Sequence, residues 1–184
     1  MAGRAGIGAS AGGIVPLDDD VSVGGAFGVV FGLAPQSGFG PTIGFGWYHA
    51  DLVLPELSGD AQMGHLRVRP LMAGIGYTWV TGRIATGVSI NAGISFNSIR
   101  VNNAFRASFG PGAQVRADVN NSFALRPQFR IEYAVTRKVG VYSSVGYFFT
   151  DVDSIIDTPA GRFENGWDAH SVNVFGGVMI YPFR

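Results

Sequence analysis

The chain of 184 residues carries 13 basic and 13 acidic side chains, so its formal charge is zero and long-range attraction to nucleic acid is excluded. Charged residues make up 14% and glycines number 28, roughly half and twice the usual shares, which makes the chain poor in ordinary soluble surface. Cysteine is absent, which rules out disulfides, thiolate metal centres and a cysteine nucleophile, and the length suits one domain over 1–184.

The opening MAGRAGIGAS lacks the apolar stretch of a secretory signal, so the chain is read as a mature form, with a first strand over 2–14. In 21–33, Val21, Val23, Phe27, Val29, Phe31 and Leu33 alternate with Ser22, Gly24, Ala26, Gly28 and Gly32. In 39–47, Phe39, Ile43, Phe45 and Trp47 oppose Gly40, Thr42, Gly44 and Gly46. The uncharged run 21–50 exceeds a membrane-spanning helix, but its eight glycines, two prolines and period of two predict a hairpin instead. A fourth strand is expected at 66–80. The fifth, IATGVSINAGISFN at 84–97, sets Ile84, Val88, Ile90, Ile94 and Phe96 against Gly87, Ser89, Asn91, Ser95 and Asn97. The sixth, over 121–135, contains SFALRPQFRIEY, with Phe123, Leu125, Pro127, Phe129, Ile131 and Tyr133 on one parity and Arg126, Arg130 and Glu132 on the other. Strands at 139–152 and 170–183 complete the set. Pro41, Pro70 and Pro127 fall inside strands, where each deletes a ladder donor, and predict local bulges.

The small parity of Gly, Ala, Ser and Asn suits a narrow lumen, whereas a soluble barrel needs a Lys- and Glu-rich outer face. The bulky parity suits lipid, which points to an all-β, eight-stranded, antiparallel, up-and-down transmembrane β-barrel. Connection lengths alternate accordingly: APQSG, TGR and TRK are short, while PLDDD, PELSGDAQMGH, the stretch 99–121 and DSIIDTPAGRFENGWD are longer. Two aromatic girdles are expected, Phe31, Phe39, Tyr77, Trp79 and Tyr133 towards the short turns, and Trp47, Phe96, Phe123 and Phe149 towards the long loops.

Arg126, Arg130 and Glu132, with Arg4, form the expected lumenal charged cluster. It is read as space-filling ion pairs that plug the lumen, because an eight-stranded barrel is only wide enough for its own side chains; the alternative is a charged constriction gating ions. Asp168, His170, Ser171 and Asn173 resemble the His and Ser sets that lipid A-modifying enzymes carry on such barrels, which is the enzymatic alternative, but His170 and Ser171 are adjacent and point to opposite faces of a strand, so no catalytic role is expected. Asp18, Asp19, Asp20, Asp151, Asp153 and Asp157 lack the spacing of a calcium loop and read as a solvated rim. His49 and His65 read as rim residues without a partner at metal spacing, so neither metal nor cofactor is expected. The third long connection, with Phe105, Arg106, Phe109 and Arg116, reads as a surface loop able to meet lipopolysaccharide phosphates.

Strand number, alternation, loop asymmetry and the ending NVFGGVMIYPFR resemble the small eight-stranded outer-membrane barrels of Gram-negative bacteria, of the OmpA transmembrane-domain and OmpX type. In this ending Phe183 is penultimate and Arg184 follows it. The resemblance implies an outer-membrane location with both termini periplasmic and a structural or surface-interaction role through the long loops. It also implies a monomer whose partners are the bilayer, lipopolysaccharide and the barrel assembly machinery.

Overall fold

A computed structural model describes residues 4–17, 21–34, 37–53, 62–110, 115–159, 161–168 and 170–182; the side chains of Arg4, Ala34, Val53, Gln62 and residues 163–168 lie outside that description. The elements are β1 (Arg4–Pro16), β2 (Gly24–Ala34), β3 (Gly38–Val53), β4 (Gln62–Thr81), β5 (Ile84–Val101), α1 (Asn103–Ser108), β6 (Arg116–Val119), β7 (Ser122–Ala134), β8 (Val139–Thr158), β9 (Gly161–Asp168) and β10 (Ser171–Ile180). Hydrogen bonds run β1–β2–β3–β4–β5–β7–β8–β10 and return to β1, closing eight antiparallel strands into a ring. Closure pairs every wall strand on both sides, which is what permits strands to cross lipid.

Period-two alternation decides which side chains face outward. In β5, Val88, Ile90, Ile94 and Phe96 are exposed while Asn91, Ser95 and Asn97 are buried. The same division recurs in β3, where Phe39, Ile43, Phe45 and Trp47 are exposed and Tyr48, Ala50 and Leu52 are buried. An apolar face turned outward is the arrangement expected of a barrel in lipid; the inner face is hydrogen-bonding in β5 and largely apolar in this part of β3. The aromatic girdles follow: Phe31, Phe39, Trp79 and Tyr133 are exposed towards the short turns, with Tyr77 against both Phe39 (4.8 Å) and Trp79 (4.6 Å). Trp47, Phe96, Phe123 and Phe149 are exposed towards the long loops.

The short turns carry their own chemistry. Gly82, at φ 62°, takes the first central position of the two-residue β4–β5 hairpin, a conformation that a β-carbon disfavours.

The expected bulges are absent at all three prolines. Register is unchanged across Pro70, where Phe45↔Leu71 and Tyr48↔Val68 bracket two unbonded positions, and across Pro127, where Leu125↔Phe149 and Gln128↔Gly146 do the same. Pro41 lies one residue beyond the last β2–β3 pair, Gly32↔Thr42. Each missing donor faces a neighbour at a gap or at the ladder's end, so no extra residue has to be inserted. Among the described residues of the β3–β4 pair, the register shifts between Leu52 and Val53.

Two connections expected to be loops are partly regular. The third contains α1 and β6, and the fourth is a hairpin in which β8 runs on to Thr158 and pairs with β9 from Asp151↔Asp168 to Thr158↔Gly161. Strand β6 pairs with the other edge of β8, from Arg116↔Asp157 to Val119↔Ser154. The cause is alternation that continues past the bilayer, since Val152, Ser154 and Ile156 keep facing inward and are buried. Strand β8 has 20 residues. At about 3.3 Å per residue and a tilt near 40°, that length rises roughly 50 Å, about twice the apolar band of such barrels. The wall therefore projects well beyond lipid on the long-loop side.

Candidate functional site

The interior is stacked in three layers. At the short-turn end lies a cavity of about 760 Å³, lined by Gly32, Gly40, Gly76 and Gly87 together with Gln128, Arg130 and Glu132. Glycine supplies no side chain to fill space, so this part of the lumen is open and the expected complete plug is absent there. Arg130 and Glu132 sit two apart on β7, point inward and form an ion pair. The Tyr181 hydroxyl donates to Glu132, and the Arg130 guanidinium lies 4.1 Å from the Tyr142 ring centroid. Gly140 makes room for this carboxylate, because a β-carbon there would lie 2.4 Å from Glu132 Oε1.

Glu132→Gln keeps the shape and removes the countercharge from Arg130. The expected loss is about 1–3 kcal/mol in urea unfolding from lipid vesicles. An unchanged midpoint would mean that cavity water solvates Arg130 by itself.

Arg126 does not join this pair. One layer nearer the long loops, its Nη1 donates to the Tyr48 hydroxyl at 3.0 Å, and its Nε is buried without a partner among the described residues. Asn91, on the neighbouring strand β5 and paired with Arg126, accepts a 2.6 Å hydrogen bond from the Thr42 hydroxyl. Tyr48 meets Phe148 edge-on at 5.1 Å and Phe175 at 6.3 Å, forming an aromatic bar across the lumen level with the outward girdle residues Trp47 and Phe149. The charged set predicted from sequence thus divides: Arg130 with Glu132, Arg126 with Tyr48, and the Arg4 side chain outside the described residues.

Beyond the bar the lumen is apolar, contrary to the expectation of polar filling throughout. Ile14, Ala50, Leu52, Met63, Leu66, Val68, Val101, Val115 and Ile156 are buried in one cluster there. One wall keeps a satisfied polar ladder, with Ser95 donating to Asn97 (2.7 Å), Asn97 to Ser122 (2.9 Å), and Ser122 paired with Thr150 (2.8 Å). Helix α1 closes the top with Phe105, which is buried in the same cluster and edge-on to Phe109 at 5.3 Å. The side chain of Asn102 caps this helix by accepting from Ala104 N–H, and its own N–H donates to the Met63 carbonyl at 2.8 Å. Sequence reading placed Phe105 in a solvated loop and passed over Tyr48 and Phe148. The available signal was a bulky ring on the inward parity, two residues from Gly46 and Gly146.

His170 and Ser171 do face opposite ways, His170 towards Asp151 (3.2 Å) and Phe149, and Ser171 into the buried interior. Asp18, Asp19, Asp20, Phe183 and Arg184 are outside the described residues, as is the Asp168 side chain. Arg116 pairs with Asp118 at 3.0 Å on the rim. His49 and His65 lie on the outer wall, and they do have an acidic partner: Asp51 Oδ1 is 2.5 Å from His65 Nδ1, while the two imidazoles stack at 5.1 Å. Asp51 is two residues from His49 and therefore on its face of β3.

No protein-family model matches the chain, and no curated protein does. Similar solved structures are outer-membrane proteins. OprG of Pseudomonas aeruginosa aligns with TM-score 0.84 at 13% identity, over 97% of this chain and 95% of its own. Neisserial surface protein A aligns with TM-score 0.64 at 12% identity, over 96% of each chain. Ail, the attachment invasion locus protein of Yersinia pestis, aligns with TM-score 0.53 at 10% identity, over 98% of this chain and 99% of its own. With the closed ring, the apolar outer face and the loop asymmetry described above, these alignments establish the fold: the chain is a small eight-stranded β-barrel of the bacterial outer-membrane type.

Proposed function

We propose that the barrel is a passive entry route for small apolar molecules, which it takes in at the long-loop end and hands to the hydrocarbon of the bilayer. The observation that carries this reading is the reversal of lumenal polarity along the axis. An apolar section expels water and stops ions, which disfavours the ion-channel alternative, yet it solvates an apolar guest. Below the aromatic bar the lumen turns polar with Arg126, Asn91 and Thr42, so a guest leaves sideways. The unbonded positions beside Pro70 and Pro127 lie at the level of the bar and supply weak points in the wall. Met63 and Met72 give the inner surface adaptable side chains.

The role expected from sequence, stabilising the membrane or presenting loops, is the second reading. It is favoured by the tight filling beside Tyr48, where the void bounded by Ile14, Val68 and Phe148 is only about 20 Å³. On either reading the short turns and both termini are periplasmic, and the closed ring functions as a monomer without catalysis. Lipopolysaccharide contact is supported by Arg67, Arg69 and Arg100 on the outer wall of β4 and β5, with Arg69 over the Trp47 ring at 5.8 Å. Strand β8 instead carries Asp151, Asp153 and Asp157.

The test is uptake of a small apolar fluorophore by vesicles with lipopolysaccharide in their outer leaflet. Passage through the barrel predicts faster uptake than in empty vesicles, and a further several-fold rise for Phe105→Ala, which loosens the lid. Equal rates with and without the barrel would reject the route and leave the membrane-stabilising role.

A further inference from the structure

We propose that His49, Asp51 and His65 form a divalent-metal site on the outer wall, of the class that takes zinc or copper. Positions i and i+2 of one strand share a face, and the residue opposite on the next strand completes a three-point set. Here β3 supplies His49 and Asp51, and the register Asp51↔His65 brings in β4. One ligand atom from each of the three side chains falls within 4.8 Å of the others, and all three are partly accessible to solvent. Small side-chain rotations bring such a set to bonds of about 2.0–2.2 Å.

The backbone that presents Asp51 is held in place. The Ser22 hydroxyl accepts from Asp51 N–H at 3.1 Å and donates to the Asp51 carbonyl at 3.2 Å, while Ser22 N–H donates to the same carbonyl at 3.0 Å. Such bracing limits the reorganisation that binding requires. Two imidazoles and one carboxylate match borderline metals; calcium and magnesium want mostly oxygen, and a single carboxylate does not meet that need. Arg67 and Arg100, opposite His49 and His65, further disfavour an ion held by charge alone and suit an anionic ligand at the metal's open positions.

The site is independent of what the lumen conducts. The test is calorimetric titration of Zn²⁺ and of Cu²⁺ into the untagged full chain folded in detergent, with folding checked by heat-modifiable gel mobility. One ion per chain is expected, with affinity lowered by at least about tenfold in His49→Ala, His65→Ala and Asp51→Asn. His170→Ala, which removes the histidine of the separate Asp151 pair, should leave binding unchanged. Absence of saturable binding would overturn the proposal, as would full affinity in the His49→Ala, His65→Ala double variant or loss of binding on His170→Ala.

Discussion

Replacing Phe148 with alanine is expected to cost the barrel about 3–5 kcal/mol, the usual toll for emptying a closely packed aromatic site. Phe148 is 1% exposed and edge-on to Tyr48, whose hydroxyl is tied to Arg126. Its removal leaves a hole that the closed ring can collapse into only in part, because Phe148 stays paired with Ser171 on β10 even though its β7 side is unbonded. Phe149 is the control. It is adjacent in sequence but 38% exposed on the outer face, and after Phe149→Ala lipid moves into the vacated volume. Reversible urea unfolding from vesicles, followed by tryptophan fluorescence, should show the larger loss at Phe148. Equal losses at the two positions would mean that the lumen at the bar is wet rather than packed. If apolar molecules do pass this way, Phe148→Ala should also speed fluorophore uptake, since it removes one side of the bar.

Ile90→Arg is expected to destabilise the folded barrel by about 2–4 kcal/mol, the cost of a guanidinium held at the bilayer midplane. Ile90 is 50% exposed on the outer face, and the register places Ile75 and Pro127 beside it, midway between the girdles. Ser89→Asp provides the comparison, since Ser89 lines the short-turn cavity that also holds Arg130. There a carboxylate meets water and a countercharge, and the cost should be a small fraction of that at Ile90. A midplane arginine that leaves the unfolding midpoint unchanged would refute the lipid-facing assignment of the odd-numbered residues of β4 and β7 and the even-numbered residues of β5.

The two substitutions bear on different kinds of information. Ile90 could be assigned to lipid from IATGVSINAGISFN by counting in twos, because a strand's side-chain period is a local property of extended backbone. Arg130 and Glu132 were equally legible, as they share a strand and a parity. Arg126 shares their parity, but its hydrogen bond goes to Tyr48 rather than to the Arg130–Glu132 pair. Its partner Tyr48 is 78 residues away, and the height at which two such strands meet depends on the stagger of every strand between them. The prolines mislead for a related reason. A missing N–H predicts some break in the ladder, but whether the break becomes a bulge or a gap depends on what the neighbouring strand offers at that position.

The same distinction governs the rest of the molecule. Alternation, turn lengths and a bulky parity nearly free of charge in the spanning strands determined from sequence alone that this is an antiparallel barrel whose outer face meets lipid, since each follows from short-range geometry and the cost of placing charge in hydrocarbon. The tertiary structure decided that the lumen is open and polar near the short turns but apolar beyond the aromatic bar. It also decided that β8 and β9 carry the wall past the membrane and that His65 stands opposite Asp51. These depend on cross-strand register, which is set collectively when the ring closes and which no single segment encodes.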